Sequence, residues 1–411
     1  MLSIDNEIKP LLLENSIHRE IIIKFPNASE NEIKEIGSSN IIAESFEMKH
    51  SICDEKEFTL GGCIAGQLTI KVIGIEQALN NKRINVFLRQ TYSTGDLFPS
   101  EMLLPSENLF AGPQKATIEI QIFSGTIDSS LRQKNRSVKE IIAYDDMYLM
   151  AQTKCATWFL GYVLYTITKQ DTSLKQLAID LIEQFEDIKS EAIGSNFNDD
   201  TILEMDYDTV KSVVNDKMVI TDLLKAYCEL NACFAIINNC GDLVFKKLYE
   251  ETSKSTEKKS VDEEISAYAD LSFEEYITCP INLIRFKYNK DSIFNYGFSD
   301  DKQSWYVSDN IITSCCSYVA VKELVGAFCK KDGDNNTKNY ILNDLYSYRP
   351  FSADIFARWW LEPGDKVGIK TGYDDTEIVE SFIFERTIKG INGMRVTLKS
   401  QGTEFLGKDE I

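Results

Sequence analysis

Histidine is nearly missing from this 411-residue chain: it has two, His18 and His50. A His-rich metal centre is thereby excluded. Cysteine is too thin for a disulfide scaffold, with 10 residues and no C-x-x-C pair. Cys315-Cys316 are adjacent, and Cys228, Cys233 and Cys240 sit among apolar residues. They read as buried free thiols of a protein assembled in a reducing cytoplasm. Positive charge is in deficit: Lys+Arg number 44 against Asp+Glu 64, a net charge of −20. That argues against a sequence-independent grip on DNA or RNA, which needs a basic stripe, and against docking on anionic lipid. It leaves room for a protein that nucleic acid merely passes. Long apolar runs are also lacking. The longest, between Lys154 and Lys169, is 14 residues, short of the ~20 that a spanning helix needs. The N-terminal MLSIDNEIKPLLLENS has early acids and only a short apolar run, so no signal peptide is expected.

What is present is ordinary globular material, 43% hydrophobic and 26% charged, enough for about three domains at roughly 150 residues each. Residues 18 to about 143 read as β. Leu68, Ile70 and Val72 alternate with Thr69 and Lys71, and Ile118, Ile120 and Ile122 alternate with Glu119 and Gln121. This period of two gives one apolar and one polar face. REIIIKF (19–25), SFEMKHSI (45–52) and RINVFLR (83–89) add strands, and many such strands imply a barrel or sandwich. Gly61-Gly62 and Gly66 flank Cys63 and mark a bend where a side chain would not fit. From Asp145 the period changes. Asp145 or Asp146 caps one helix and Thr172 or Ser173 a second, whose face is Leu174, Leu177, Ala178, Leu181, Ile182 and Phe185. A third follows Thr221, with Leu223, Leu224, Tyr227 and Cys228 inward. A hairpin then turns at Asn239-Cys240-Gly241.

Residues 250–264 carry almost no apolar mass and read as a flexible surface loop or an interdomain linker. The last third returns to β: 282–288, 305–309, 365–371, 380–388 and 393–400, with a helix over Tyr318–Phe328 and a type II turn at Pro363-Gly364. The expected fold class is mainly β with an α+β insert. Residues 1–143 form a first β-barrel, 144–264 a smaller α+β domain ending in the charged linker, and 265–411 a second β-barrel with an inserted helix.

Chemistry-bearing motifs are few. Phosphate-loop, dinucleotide-binding, HExxH and nucleophile-elbow patterns are all missing. GGCIAG (61–66) sets Cys63 beside glycines but near no base. Asp332, Asp334 and Asn336 imitate a calcium loop, but Thr337 stands where the glycine belongs and Asn343 where the bidentate Glu belongs. Asp199-Asp200 and Asp374-Asp375 could serve glycoside hydrolysis, yet such pairs arise by chance at this net charge. Trp359-Trp360, near Phe356 and Arg358, could stack a sugar or base; without a basic surround they read as core or interface anchors. No catalytic, cofactor-binding or metal residue is assigned, no cofactor is expected, and the chain is not expected to be an enzyme.

Three stretches together resemble the tail-tip or baseplate hub proteins of tailed bacteriophages, as in the N-terminal hub region of tail-associated lysins. RSVKEIIAYDDMYLM (136–150) matches the family's strand running into an AYD-x-M helix start, at Ala143, Tyr144, Asp145, Asp146 and Met147. LLKAYCELNACFAIINNCGDLVFKKL (223–248) matches its helix and Gly-turned hairpin. Residues 348–402 match its closing barrel, with a Pro-Gly-Asp turn and an S-x-I…R-T-x-x-G segment. SICDEKEFTLGGCIAGQLTI (51–70) and YVSDN (306–310) add support.

The resemblance implies two related β-barrels per chain, a homotrimer forming a pseudo-six-fold ring, and an axial channel for DNA and tape measure protein. It implies partners in the distal tail or tube protein and in tip, fibre or receptor-binding proteins. DNA would pass without specific binding and no membrane span is implied. The place would be the virion tail tip, assembled in the bacterial host cytoplasm. Many family members continue into a hydrolase or fibre region; the stop at Ile411 suggests that such a role is absent or sits on another chain. The alternatives are the equivalent hub of a contractile phage-like particle, such as a tailocin or injection system, and a cell-wall glycan-binding or glycan-hydrolysing protein.

Overall fold

The computed structural model describes residues 4, 9–13, 17–53, 59–94, 114–132, 137–184, 199–251, 256–278, 283–297, 305–326, 329–331, 337–339, 348–371 and 377–402. After a short helix α1 (Lys9–Leu12) come seven strands: β1 (His18–Lys24), β2 (Glu35–Ile36), β3 (Glu47–Ser51), β4 (Gln67–Ile73), β5 (Arg83–Thr94), β6 (Gln114–Arg132) and β7 (Val138–Tyr144). Their alternation does the work: in β4, Leu68, Ile70 and Val72 are buried while the residues between them are not. Lys139 lies on the buried face of β7, and its ammonium reaches out to the carbonyls of Glu76 and Gln77. Register shifts at Val86/Phe87 and Ile127/Ser129 mark bulges in the long β5–β6–β7 meander.

The middle is helical, with α2 (Asp146–Gln152), α3 (Ala156–Tyr162) continuing into a π turn at Val163–Ile167, α4 (Leu174–Ile182), α5 (Tyr207–Val213) and α6 (Ile220–Leu230). The long apolar run at 155–168 is α3 and its π turn, and no helix among the described residues is long and apolar enough to cross a membrane. Asp145 caps α2 through the Met147 amide and Ser173 caps α4 through the Gln176 amide. Leu174, Leu177, Ala178, Leu181 and Ile182 form the buried face of α4; Phe185 lies outside the described residues. The hairpin β8 (Cys233–Ile237) and β9 (Leu243–Lys247) turns at Gly241, whose φ of 92° is left-handed.

Short strands β10 (Tyr249–Glu251), β11 (Thr256–Lys258), β12 (Glu263–Ile265) and β13 (Asp270–Phe273) follow. Then come β14 (Leu283–Tyr288), β15 (Ser292–Gly297), β16 (Trp305–Ser308), α7 (Ile311–Cys315), α8 (Tyr318–Gly326), β17 (Cys329–Lys331) and β18 (Thr337–Asn339). The chain closes with β19 (Phe351–Phe356), β20 (Lys366–Thr371), β21 (Glu377–Phe382), β22 (Glu385–Lys389) and β23 (Arg395–Lys399).

The fold is mainly β, and its two β regions are one sheet. Eleven strands run in the order β13-β19-β23-β22-β3-β4-β7-β6-β5-β1-β2, joined where β22 pairs antiparallel with β3. Among the described residues no pairing between the outer strands β13 and β2 closes this sheet into a barrel. One apolar core serves both regions: Ile21, Leu68 and Ile141 share it with Trp359, Trp360 and Val396. A second core gathers the helices, β8–β9 and the β14–α8 stretch, with Ile52, Leu60 and Cys63 reaching in from the N-terminal region.

Two further expectations need correction. Residues 380–388 are two strands, not one. At Ile383-Phe384 the chain leaves the three-stranded sheet β12-β20-β21 and enters the large one. Ile383 fills the β core and Phe384 the helical core, so the run looks uniformly apolar in sequence. The second correction concerns the charged stretch at 250–264, which is not loose at its end. β12 pairs in parallel with β20, Lys366 Nζ donates to the Lys259 carbonyl at 2.8 Å, and the Lys366 amide donates to Asp262 at 2.7 Å. Hydrogen bonds hold what apolar burial could not.

The Pro363-Gly364 turn has the backbone its sequence suggests, with Gly364 at φ 89°. A Cβ there would also meet Lys246 Cβ at 3.2 Å. Gly364→Val should therefore cost about 1–3 kcal/mol, read as a lower melting temperature. An unchanged melting temperature would mean that the turn tolerates a side chain.

Candidate functional site

Between the two cores runs a buried polar seam built by segments distant in sequence. Arg386 on β22 is its centre, 1% exposed. Its Nη1 donates to the carbonyls of Trp359 (2.9 Å) and Leu361 (2.7 Å). Its Nη2 lies 2.9 Å from Nδ1 of His50, its cross-strand neighbour on β3. A guanidinium can only donate, so His50 Nδ1 accepts and the imidazole is neutral. Burial first, and then the Arg386 charge, bring the His50 pKa down to about 3, with Glu362 pulling weakly the other way.

Glu362 supplies the countercharge. Burial would raise its pKa, but Lys246 and Arg386 outweigh burial and bring it to about 2. Lys246 on β9 donates to Glu362 at 3.1 Å, and Asp365 accepts the Glu362 amide at 2.7 Å. The glycine bend packs against the same place. The Gly66 amide donates to Asp145 at 2.7 Å, and a Cβ on Gly66 would sit 2.1 Å from His50 Cδ2. A Cβ on Gly62 would sit 1.8 Å from the Ile52 carbonyl oxygen. Next to the Asp145 cap, Asp146 holds Arg83 of β5 in a two-pronged ion pair of 2.6 and 2.8 Å. The β8–β9 turn is tied down beside it, where Gln121 donates to the Asn239 carbonyl at 2.8 Å.

A second buried carboxylate fastens the last third of the chain to α6. Glu229 accepts from Tyr306 (2.8 Å), Ser308 (2.8 Å) and Asn310 (2.7 Å). Burial pushes its pKa up while these bonds oppose the shift. Asn310 also caps α7 through the Ile312 and Thr313 amides. In both clusters the charged groups are spent on neighbouring protein atoms. The arrangement clamps segments together.

The candidate residues read from sequence fall apart as a catalytic set. His18, at the start of β1, is exposed beside Glu20. Cys63 is buried and its thiol turns to the Gly61 carbonyl. Asp199 is buried against Tyr227 while Asp200 is exposed, so the two carboxylates do not face one another. Trp359 and Trp360 are core residues that donate to Gln90 and Glu263, with no face turned to a sugar or base. Lys71 pairs with Glu140, and Glu119 with Lys24 and Arg89, on the polar face; Gln121 turns to the hairpin instead. Asp332, Asp334, Asn336, Asn343, Asp374 and Asp375 lie outside the described residues, while Thr337 begins β18. No group of three or more metal-type ligands occurs among the described residues. The seam residues Arg386, Glu362 and Lys246, and likewise Glu229, lie inside the family-like stretches, Arg386 as the R of R-T-x-x-G, but no pattern in the sequence gives them a site role.

No protein-family model and no curated protein sequence matches the chain. Solved structures similar to it include two tail proteins. The tail protein from Neisseria meningitidis MC58 is 9% identical with a TM-score of 0.48, the match covering 93% of this chain and 96% of that one. The 43 kDa tail protein of prophage MuSo2 from Shewanella oneidensis is 10% identical with a TM-score of 0.47, covering 93% of this chain and 98% of that one.

Proposed function

We propose that this chain is a structural protein of a bacteriophage tail, acting as a hub at its distal end. The observation that carries the reading is convergence. The three stretches that resemble hub proteins lie far apart in sequence, yet they meet around one seam. Lys246 of the second holds Glu362 of the third, where Asp365 and Arg386 stand beside it, and Asp146 of the first holds Arg83, which packs against Gly241 of the second. The supporting YVSDN segment binds Glu229 through Tyr306, Ser308 and Asn310. Motif residues that lock a scaffold together suit a structural role.

In this reading β1–β7 and the β19–β23 region are the two related barrel domains, joined through β3 and β22. Three chains present six such units around an axial channel, which matches a six-fold tube to a three-fold tip; closed cyclic symmetry is the common solution for homo-oligomers. The division at 143/144 and 264/265 then separates tube from projecting unit. Partners are the tube protein, the tape measure protein and tip or fibre proteins, in a particle assembled in the host cytoplasm. A net charge of −20 lets duplex DNA slide by, since like charges repel over about 8 Å in physiological salt.

The test is assembly. Light scattering of the protein, alone or with its tail neighbours, should give about 140 kDa, three times 46.8 kDa, with rings in electron-microscopy class averages. A monomer that its neighbours cannot drive to trimerise would defeat the hub. Retention of duplex DNA at low salt would overturn the passive channel.

A further inference from the structure

A cleft of about 810 Å³ opens where the end of the π turn, the extended strip 202–206, the β14–β15 turn and the α7–α8 junction meet. Its floor is apolar: Ile167, Leu203, Met205 and Cys316 are buried. One wall is aromatic. Tyr288 and Tyr318 meet edge to face at 5.5 Å, and Tyr318 is 48% exposed. The rim is acidic. The strip turns Leu203 and Met205 inward and leaves Glu204 and Asp206 outward, with Asp171 across from them. Hydrogen bonding of the Leu203 amide to the Thr172 carbonyl and a bridge from Met205 to Cys316 fix the strip. Burial, Cys315 and the Glu204 carboxylate together push the Cys316 thiol up. Among the described residues lining the cleft Lys169 is the only base, and its ammonium lies over the Tyr165 ring at 5.1 Å.

We infer that this cleft docks a Lys- or Arg-bearing segment of a partner protein. The cation's methylene stem needs an apolar floor, and its head needs carboxylates and an aromatic face; the cleft holds all three. An acidic partner would be repelled by the rim. A purely apolar one would strip water from Asp171 and Glu204 and pair them with nothing, which is strongly unfavourable. The inference stands apart from the tail reading, because it is tested on the isolated protein.

The experiment measures fluorescence anisotropy of a labelled hexa-arginine peptide titrated with the full chain at physiological salt. Asp171→Asn/Glu204→Gln should weaken binding about tenfold or more, and Tyr318→Ala about threefold to tenfold. Tyr318→Phe should bind as the parent does. Glu30→Gln/Glu275→Gln removes the same charge elsewhere and should change binding less than about twofold. Thermal melts of all variants separate loss of binding from loss of fold. Equal weakening in both double variants would assign the binding to net charge and overturn the cleft. Binding indifferent to Tyr318 and to the Asp171/Glu204 pair would overturn it too. Self-association that these variants abolish would give the cleft to a second copy of the chain, and the basic partner would fall.

Discussion

Arg386→Met should cost about 3–5 kcal/mol of folding stability, the range for removing one partner from a buried ion network. Met keeps the apolar stem out to about the place of Nε, so what is lost is the guanidinium and its bonds. Three acceptors are stranded: the Trp359 and Leu361 carbonyls and His50 Nδ1. Each unpaired buried acceptor costs about 1–3 kcal/mol. Glu362 keeps Lys246 but loses its second cation. The effect should depend on Glu362. In Glu362→Gln the charge to be balanced is gone, so adding Arg386→Met to it should cost less than it does alone, with a coupling of about 1–3 kcal/mol. Urea unfolding of the four proteins of this cycle measures both numbers. A loss under about 1 kcal/mol, or strict additivity, would show that the seam is not a coupled network.

The same residues show why the site was harder to read than the elements around it. α4 was legible because Leu174, Leu177, Ala178, Leu181 and Ile182 repeat at helical spacing behind a Ser173 cap. β4 was legible because its alternation is strict. Both signals are local. The pairing of Arg386 with His50 is not: it spans 336 positions, and nothing in either strand names the other. The union of two β regions into one sheet rests on that single junction, so the sequence read them as separate bodies. The break at Ile383-Phe384 was hidden because a residue buried in one core is followed by one buried in the other, erasing the period. The charged stretch before β12 looked loose for the opposite reason. Its apolar content is low, but Lys259, Asp262 and Glu263 are held by Lys366 and Trp360, partners about 100 residues away. Composition reports burial well and hydrogen bonding poorly.

Acid should open the seam, and His50 should set where the loss begins. A base whose folded pKa lies below its unfolded one is bound by the proton first in the unfolded chain. Its contribution to stability is full above the unfolded pKa and is lost as pH falls. For His50 the two values are 6.5 and about 3, so the loss starts near neutrality. It grows by about 1.4 kcal/mol per pH unit, on the order of 5 kcal/mol in all. Glu362 acts in the same direction at lower pH. Its folded pKa of about 2 lies below the ordinary 4.5, so its ionised form stabilises the fold above 4.5 and that contribution fades as pH drops toward 2. The two windows can be told apart. Between pH 6.5 and 5 only His50 of this pair is titrating, and that interval should remove about 2 kcal/mol from the parent. His50→Gln keeps an acceptor for Arg386 Nη2 but cannot take up a proton, so its stability should stay flatter over that interval and fall only as the carboxylates protonate. Urea unfolding at pH 7.5, 6.5, 5.5 and 5.0 for both proteins decides the matter. Parallel pH profiles would mean that His50 is protonated in the folded chain as readily as in the unfolded one, and that Arg386 does not hold it neutral.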